Sequence, residues 1–189
     1  MPDREILMQL DKETLITMLE DSAKNWLAHD GLWFQAVEKE FGMDSALQMD
    51  RQAWKLFTQV EAKRIMARLG IKPNGGIEAL DQALRFRLYA RINDQEIYRV
   101  DDRTLRLEMK ECRVQSARER KGLPAFPCKS VGIVEYAYFA YAIDPRLKTE
   151  VIFCPPDLRP EGCYCTWQFT MRDEPVPADE IVPEESVYG

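Results

Sequence analysis

Three of the five cysteines in this 189-residue chain fall within residues 154–165, in the stretch FCPPDLRPEGCYCTWQF. Thiolates are the ligands that zinc and iron favour, and a structural zinc ion takes four protein donors. In CYCTWQFTM the odd positions, Cys163, Cys165, Trp167, Phe169 and Met171, share one face of a regular strand, which directs both thiols to the core. Cys154 closes the strand before, and the connection PPDLRPEG is able to fold back and set it beside Cys165, while Cys128 opens the helix ahead of both strands. Cys128, Cys154, Cys163 and Cys165 are therefore the candidate ligands of a zinc or iron ion. The spacing contains no CxxC pair, and free cysteine also packs as a small hydrophobe, so buried unligated thiols are the competing reading.

Only one histidine is present, so any imidazole chemistry must use His29, which lies between Trp26 and Trp33 in an apolar helix. It reads either as a packed histidine with one hydrogen bond or as a ligand or general base, with Glu38 as the second candidate base. Asp30, Glu38 and Glu61 belong to one site only if the first two helices bring them together; otherwise they solvate helix faces. In CRVQSARERKGLPAFPCKS, Arg113, Arg118, Arg120, Lys121 and Lys129 gather ahead of a helix N-terminus. Free amides and the helix dipole attract an anion there, so a ligand carboxylate or phosphate is expected against Arg113, Lys129 and Ser130. A solvated basic loop answering the acidic tail is the alternative. No GxGxxG, P-loop, GxSxG or HExxH motif occurs, which leaves nucleotide binding, serine hydrolysis and zinc proteolysis without support.

The elements that must position these groups follow from hydrophobic period. Residues 12–91 read as helical. Leu15, Leu19, Trp26, Trp33, Val37 and Phe41 recur at helical intervals up to Gly42, with Gly31 a possible interruption. A second helix runs from Asp44 or Ser45 to Gly70, and a third places Ile77, Leu80, Leu84 and Leu88 on one stripe of IEALDQALRFRLYARI. From about Ile97 the period becomes two: TLRLEMK alternates strictly, and YRVDDRTLR predicts a hairpin turning at Asp101–Asp102. A segment rich in Arg, Gly and Pro precedes the helix CKSVGIVEYAYFAYAI, and the strands LKTEVIFC and CYCTWQFTM follow. The expected class is α+β, with N-terminal helices packed on a four-stranded antiparallel sheet and one helix between the two strand pairs. One domain over residues 1–172, helical in 12–91 and sheet-containing in 96–172, carries a Pro-rich acidic tail at 173–189 that is expected to be disordered or draped on the surface.

That tail holds six acids and no Lys or Arg. Without them the net charge of −6 falls to zero, 26 acids against 26 bases, a balance that indicates neither a nucleic-acid nor a membrane-surface partner. No apolar run approaches the roughly 18 residues of a membrane span, and MPDREILMQLDKE lacks the pattern of a signal peptide, so a cytosolic location is expected. A reducing compartment in turn disfavours disulfides among the five cysteines.

The run PCKSVGIVEYAYFA…TEVIFC…CYCTWQF resembles the C-terminal half of 4-vinyl reductase domains at Cys128, Gly132, Cys154, Cys165 and Trp167. The longer stretch including WLAHDGLWF and ECRVQSARERKGLPAFPCKSVG resembles an uncharacterised prokaryotic cytosolic family near the L-2-amino-thiazoline-4-carboxylate hydrolase-like proteins. The first resemblance implies a Bet3-like fold, a buried small-molecule pocket and, as in several relatives, a cysteine-bound metal. The function expected is a cytosolic domain binding a partly apolar, anionic small molecule, with zinc or iron on the cysteines. A metal-dependent hydrolase of a carbon–nitrogen bond in a small heterocycle, using His29 or Glu38 as base, is the alternative. A homodimer through the helical half is a possible further partner.

Overall fold

The computed structural model describes residues 3–182. After a short helix α1 (Arg4–Met8), the Asp11 side chain accepts the Thr14 amide at 2.8 Å and opens α2 (Lys12–Phe41). Gly31 does not interrupt α2: one glycine costs a helix only about 1 kcal/mol against alanine, and this helix runs through 30 residues. Gly42, at φ +83°, then turns the chain in a single residue into α3 (Met43–Leu69). A side chain would be strained there, so the tightness of this helical hairpin depends on glycine.

The third helix is shorter than its apolar stripe suggests. α4 (Gly76–Leu84) stops because Glu61 on α3 takes the Leu88 amide at 2.8 Å and the Arg87 Nε at 2.9 Å. These bonds draw the chain out of helical register and into a 3₁₀ turn, Tyr89–Arg91. The strands β1 (Asp94–Asp101) and β2 (Thr104–Glu111) then form the expected hairpin. A helix with no apolar period, α5 (Arg113–Arg120), follows where the Arg-rich segment showed no element. Long polar side chains hold it. The Gln115 amide donates to the Phe126 carbonyl at 2.7 Å and accepts its N–H at 3.0 Å, while Arg118 Nε donates to the Pro124 carbonyl at 2.7 Å.

Next come α6 (Lys129–Ile143), β3 (Leu147–Phe153) and β4 (Cys165–Met171), completing one antiparallel sheet in the order β1-β2-β4-β3. The α+β class with a helix between the two strand pairs is what the sequence pattern implied. α6 lies between α3 and the sheet and buries residues on nearly every side, which explains why its sequence is apolar all round. The contact with the sheet is close at Gly132: a Cβ there would stand 2.7 Å from Cζ2 of Trp167 on β4. Buried Leu105, Leu107, Phe139, Ile143, Trp167 and Phe169 fill the core between α6, α4 and the sheet.

The start of the acidic tail is draped: Val176 and Ile181 are buried against Ala137, with Tyr138 and Tyr141 alongside. Disorder is thereby corrected for residues 173–182, because two apolar anchors fix them to α6; residues 183–189 lie outside the described residues. Among the described residues, no helix is long and apolar enough to cross a membrane.

Candidate functional site

A cavity of about 430 Å³ lies between the helical hairpin on one side and α5, α6 and the sheet on the other. α2 contributes Leu27 and Phe34, α3 contributes Asp50 and Trp54, and Tyr89 enters from the 3₁₀ turn. The walls are mainly apolar, with two polar ends of different chemistry.

Four sulfurs form the end beside the sheet: Cys112, Cys128, Cys154 and Cys165 all line it. The register Met109↔Cys165 between β2 and β4 brings the end of β2, and with it Cys112, to the start of β4. Cys128 precedes α6, and its sulfur touches that of Cys154 at 3.4 Å while receiving Gln115 Nε2 at 3.6 Å. Trp167 Nε1 donates to Cys165 Sγ at 3.2 Å. Contact with the Cys128 sulfur, then with that of Cys165, then burial push the Cys154 thiol far up, so it stays protonated. Burial, reinforced by the Cys128 and Cys165 sulfurs, pushes Cys112 up to about 12.

Three carboxyl groups, Asp30, Asp50 and Glu135, form the other end. Burial, with the negative charges of Asp30 and Glu135 added to it, pushes Asp50 up to about 7. Burial also raises Asp30. Glu135 is pushed up to about 7 by burial and by Glu61, against the pull of Arg87. The Arg87 guanidinium is enclosed behind this end, with Nη1 2.8 Å from Glu135 Oε1 and Nε 2.9 Å from Glu61 Oε2. The Glu135 contact is an ion pair without hydrogen-bond alignment, and neither of its two atoms finds another partner.

The expected site residues divide between these surroundings and others. Cys128, Cys154 and Cys165 converge as anticipated, but Cys163 does not line the cavity. It precedes the regular strand, and its thiol donates to the Cys165 carbonyl at 3.4 Å and lies 3.7 Å from Thr166 Oγ1. Its place in the group is taken by Cys112. His29 is exposed and outside the cavity wall. Glu38 is also outside, held by Arg118 in a two-pronged pair at 2.9 and 3.0 Å that keeps its carboxyl below the usual range. Of the anion-binding set, Arg113 lines the cavity, whereas Lys129 and Ser130 do not. Lys129 donates its ammonium to Asp157 at 3.0 Å and its amide to the Pro155 carbonyl at 2.9 Å, and Ser130 Oγ accepts from Arg51 at 3.2 Å. The α6 N-terminus thus already has protein partners where an anion was expected.

Residues 8–171 match the family of unknown function DUF6125. The chain belongs to that family. Neither the curated proteins nor the solved structures give a match, and the family match draws no line from this DUF6125 chain to 4-vinyl reductase domains or to thiazoline-carboxylate hydrolase-like proteins. What the DUF6125 site can do therefore rests on its own side chains. For a metal, the fit is incomplete. Cys128 and Cys154 supply two sulfurs in contact, yet among the described residues no three His, Cys, Asp or Glu side chains surround a common point closely enough to hold an ion.

Sequence reasoning missed Asp50, Glu135 and Arg87. Glu135 carried a visible signal: it is the only acid in GIVEYAYFAYAI, and a lone charge in a buried helix needs a partner or a purpose. Asp50 carried none, because it stands among other polar residues at the start of α3.

Proposed function

We propose that this chain is a cytosolic small-molecule-binding domain that encloses a partly apolar ligand between the helical hairpin and the sheet. The cavity of about 430 Å³ carries the reading, because a void of that size within a close-packed protein is the size of ordinary ligand pockets and has a few polar groups converging on apolar walls. Its walls offer Phe34, Trp54, Phe126, Tyr136 and Trp167 to a flat or hydrocarbon body. The five free cysteines agree with a reducing compartment. The thiols act here as a soft, polarisable wall rather than as ligands of a metal. The hydrolase alternative finds neither of its expected bases, His29 or Glu38, in the cavity wall.

Titration with the neutral apolar dye N-phenyl-1-naphthylamine tests this directly. We expect saturable fluorescence enhancement at about one dye per chain, and an affinity about tenfold weaker in Ala117→Trp, which projects an indole into the cavity from α5. Absence of saturable binding to the wild-type chain contradicts the proposal. So does binding that Ala117→Trp leaves unchanged.

A further inference from the structure

The two ends of the cavity differ in the charge they accept. Asp30 projects from α2, Asp50 from α3 and Glu135 from α6, so three elements independently aim a carboxyl group into one space. Neither Asp30 nor Asp50 has an ion-pair partner among the described residues, and Arg51 beside Asp50 is engaged with Ser130. Glu135 is buried, and its Oε1 lacks an aligned hydrogen bond even with Arg87 at hand. Arg87 in turn is divided between Glu135 and Glu61, so this end holds four acidic groups around one enclosed cation. Trp54 and Tyr89 line the same end, their rings stacked 5.5 Å apart and 23° from parallel.

The cavity also has basic residues, but in a different setting. Lys24, Arg113, Arg120 and Lys121 are exposed, and Lys24 and Lys121 reach Asp21 and Gln35 respectively. Arg118 is buried but committed to Glu38. Exposed charges act through water and are screened by salt, whereas charges enclosed in apolar surroundings act at nearly full strength. Glu135 is buried and Asp30 and Asp50 are half-buried, whereas the uncommitted bases are exposed, so the acids set the preference at this end. Aromatic faces beside them add cation–π attraction to the same sign of ligand charge.

Resting on the small-molecule reading above, we propose that the ligand carries a protonated nitrogen, an ammonium or amidinium group, which lodges between Asp30 and Asp50 with its apolar body against Trp54 and Tyr89. A cation there relieves the mutual repulsion of the carboxylates and replaces the anionic ligand that the basic segment suggested. The ionisation of Asp50 is divided near neutral pH, so a bound cation would also draw its proton off.

Calorimetric titration of the full chain with three compounds of nearly one shape tests this: tryptamine, 3-methylindole and indole-3-propionate, at about pH 8, where the amine is charged and the carboxyls can ionise. The expected order is tryptamine at least about tenfold tighter than 3-methylindole, and indole-3-propionate the weakest. Asp50→Asn should weaken tryptamine about tenfold relative to 3-methylindole. Asp30→Asn gives the same reading if the first variant folds poorly. Equal binding of all three compounds, or preference for the propionate, overturns the cationic ligand while the cavity reading stands. Failure of all three to bind overturns both.

Discussion

Around α6 nearly every side chain is enclosed, whereas α2, twice as long, buries only Ala23. The sheet side of the molecule closes over Phe139, Ile143, Trp167 and Phe169, each fully buried. The hairpin side leaves Ile16, Leu19, Leu32 and Trp33 of α2 open, along with Leu56 and Val60 of α3. α2 is held to the rest through a few specific contacts. Trp26 meets Trp54, Phe57 and Tyr89 at 5.4–5.8 Å, Phe34 meets Phe126 at 5.0 Å, and Glu38 pairs with Arg118. The difference teaches where the ligand space comes from: one region is a closed core, the other is a long helix laid across it, and the cavity is the seam they do not fill.

The sharpest way to break this comparison is to remove a large side chain from each region. Phe139→Ala should cost about 3–5 kcal/mol in urea unfolding, because the void left by a fully buried ring cannot collapse. Trp33→Ala, at 69% exposure, should stay within about 0.5 kcal/mol. Comparable losses would show that α2 belongs to the same core. Gly132→Ala comes next, at about 1–3 kcal/mol, since its methyl group meets the Trp167 ring at 2.7 Å and either α6 or the indole must yield.

Arg118→Ala should cost about 1–3 kcal/mol, as it removes the Pro124 carbonyl's donor and leaves Glu38 unpaired. The pH dependence gives the sign. Hydrogen bonding and charge from Arg118 hold the Glu38 carboxyl below its unfolded value, so the pair stabilises above the unfolded pKa and its contribution fades as acidification passes the folded one. The wild-type chain should therefore lose more stability than Arg118→Ala on going from neutral to acid pH. At the acidic end of the cavity the pH dependence has the opposite sign. Asp50, pushed up to about 7, binds its proton more tightly in the native state than in the unfolded one. Stability from this group is present below the unfolded carboxyl pKa and declines as pH rises through about 7. Without ligand, Asp50→Asn should melt higher than wild type above neutral pH, and the gap should close in acid. A variant that instead melts lower at both pH values would show that Asp50 serves the fold.

Much of this architecture was legible because it depends on period. The change from helical spacing to alternation near Ile97, the hairpin at Asp101–Asp102 and the apolar run of α6 each report which faces are buried. α5 was hidden because Gln115 and Arg118 hold it through polar side chains that look like those of a solvated loop. In the candidate site, Cys128, Cys154 and Cys165 could be placed together from strand order. Cys163 was misplaced because strict alternation was extended two residues before β4 begins. Cys112 enters through cross-strand register, and Asp50 and Glu135 meet across the packing of α3 on α6; neither relation is written in local sequence.

Hydrogen exchange of the backbone amides, with and without saturating N-phenyl-1-naphthylamine, tests the seam most directly. A ligand held between the two regions should slow exchange in both walls together, over Leu27–Gln35 of α2 and over Val131–Tyr136 of α6. Protection confined to the open apolar row of α2 around Ile16, Leu19 and Trp33, or no protection at all, would contradict the account.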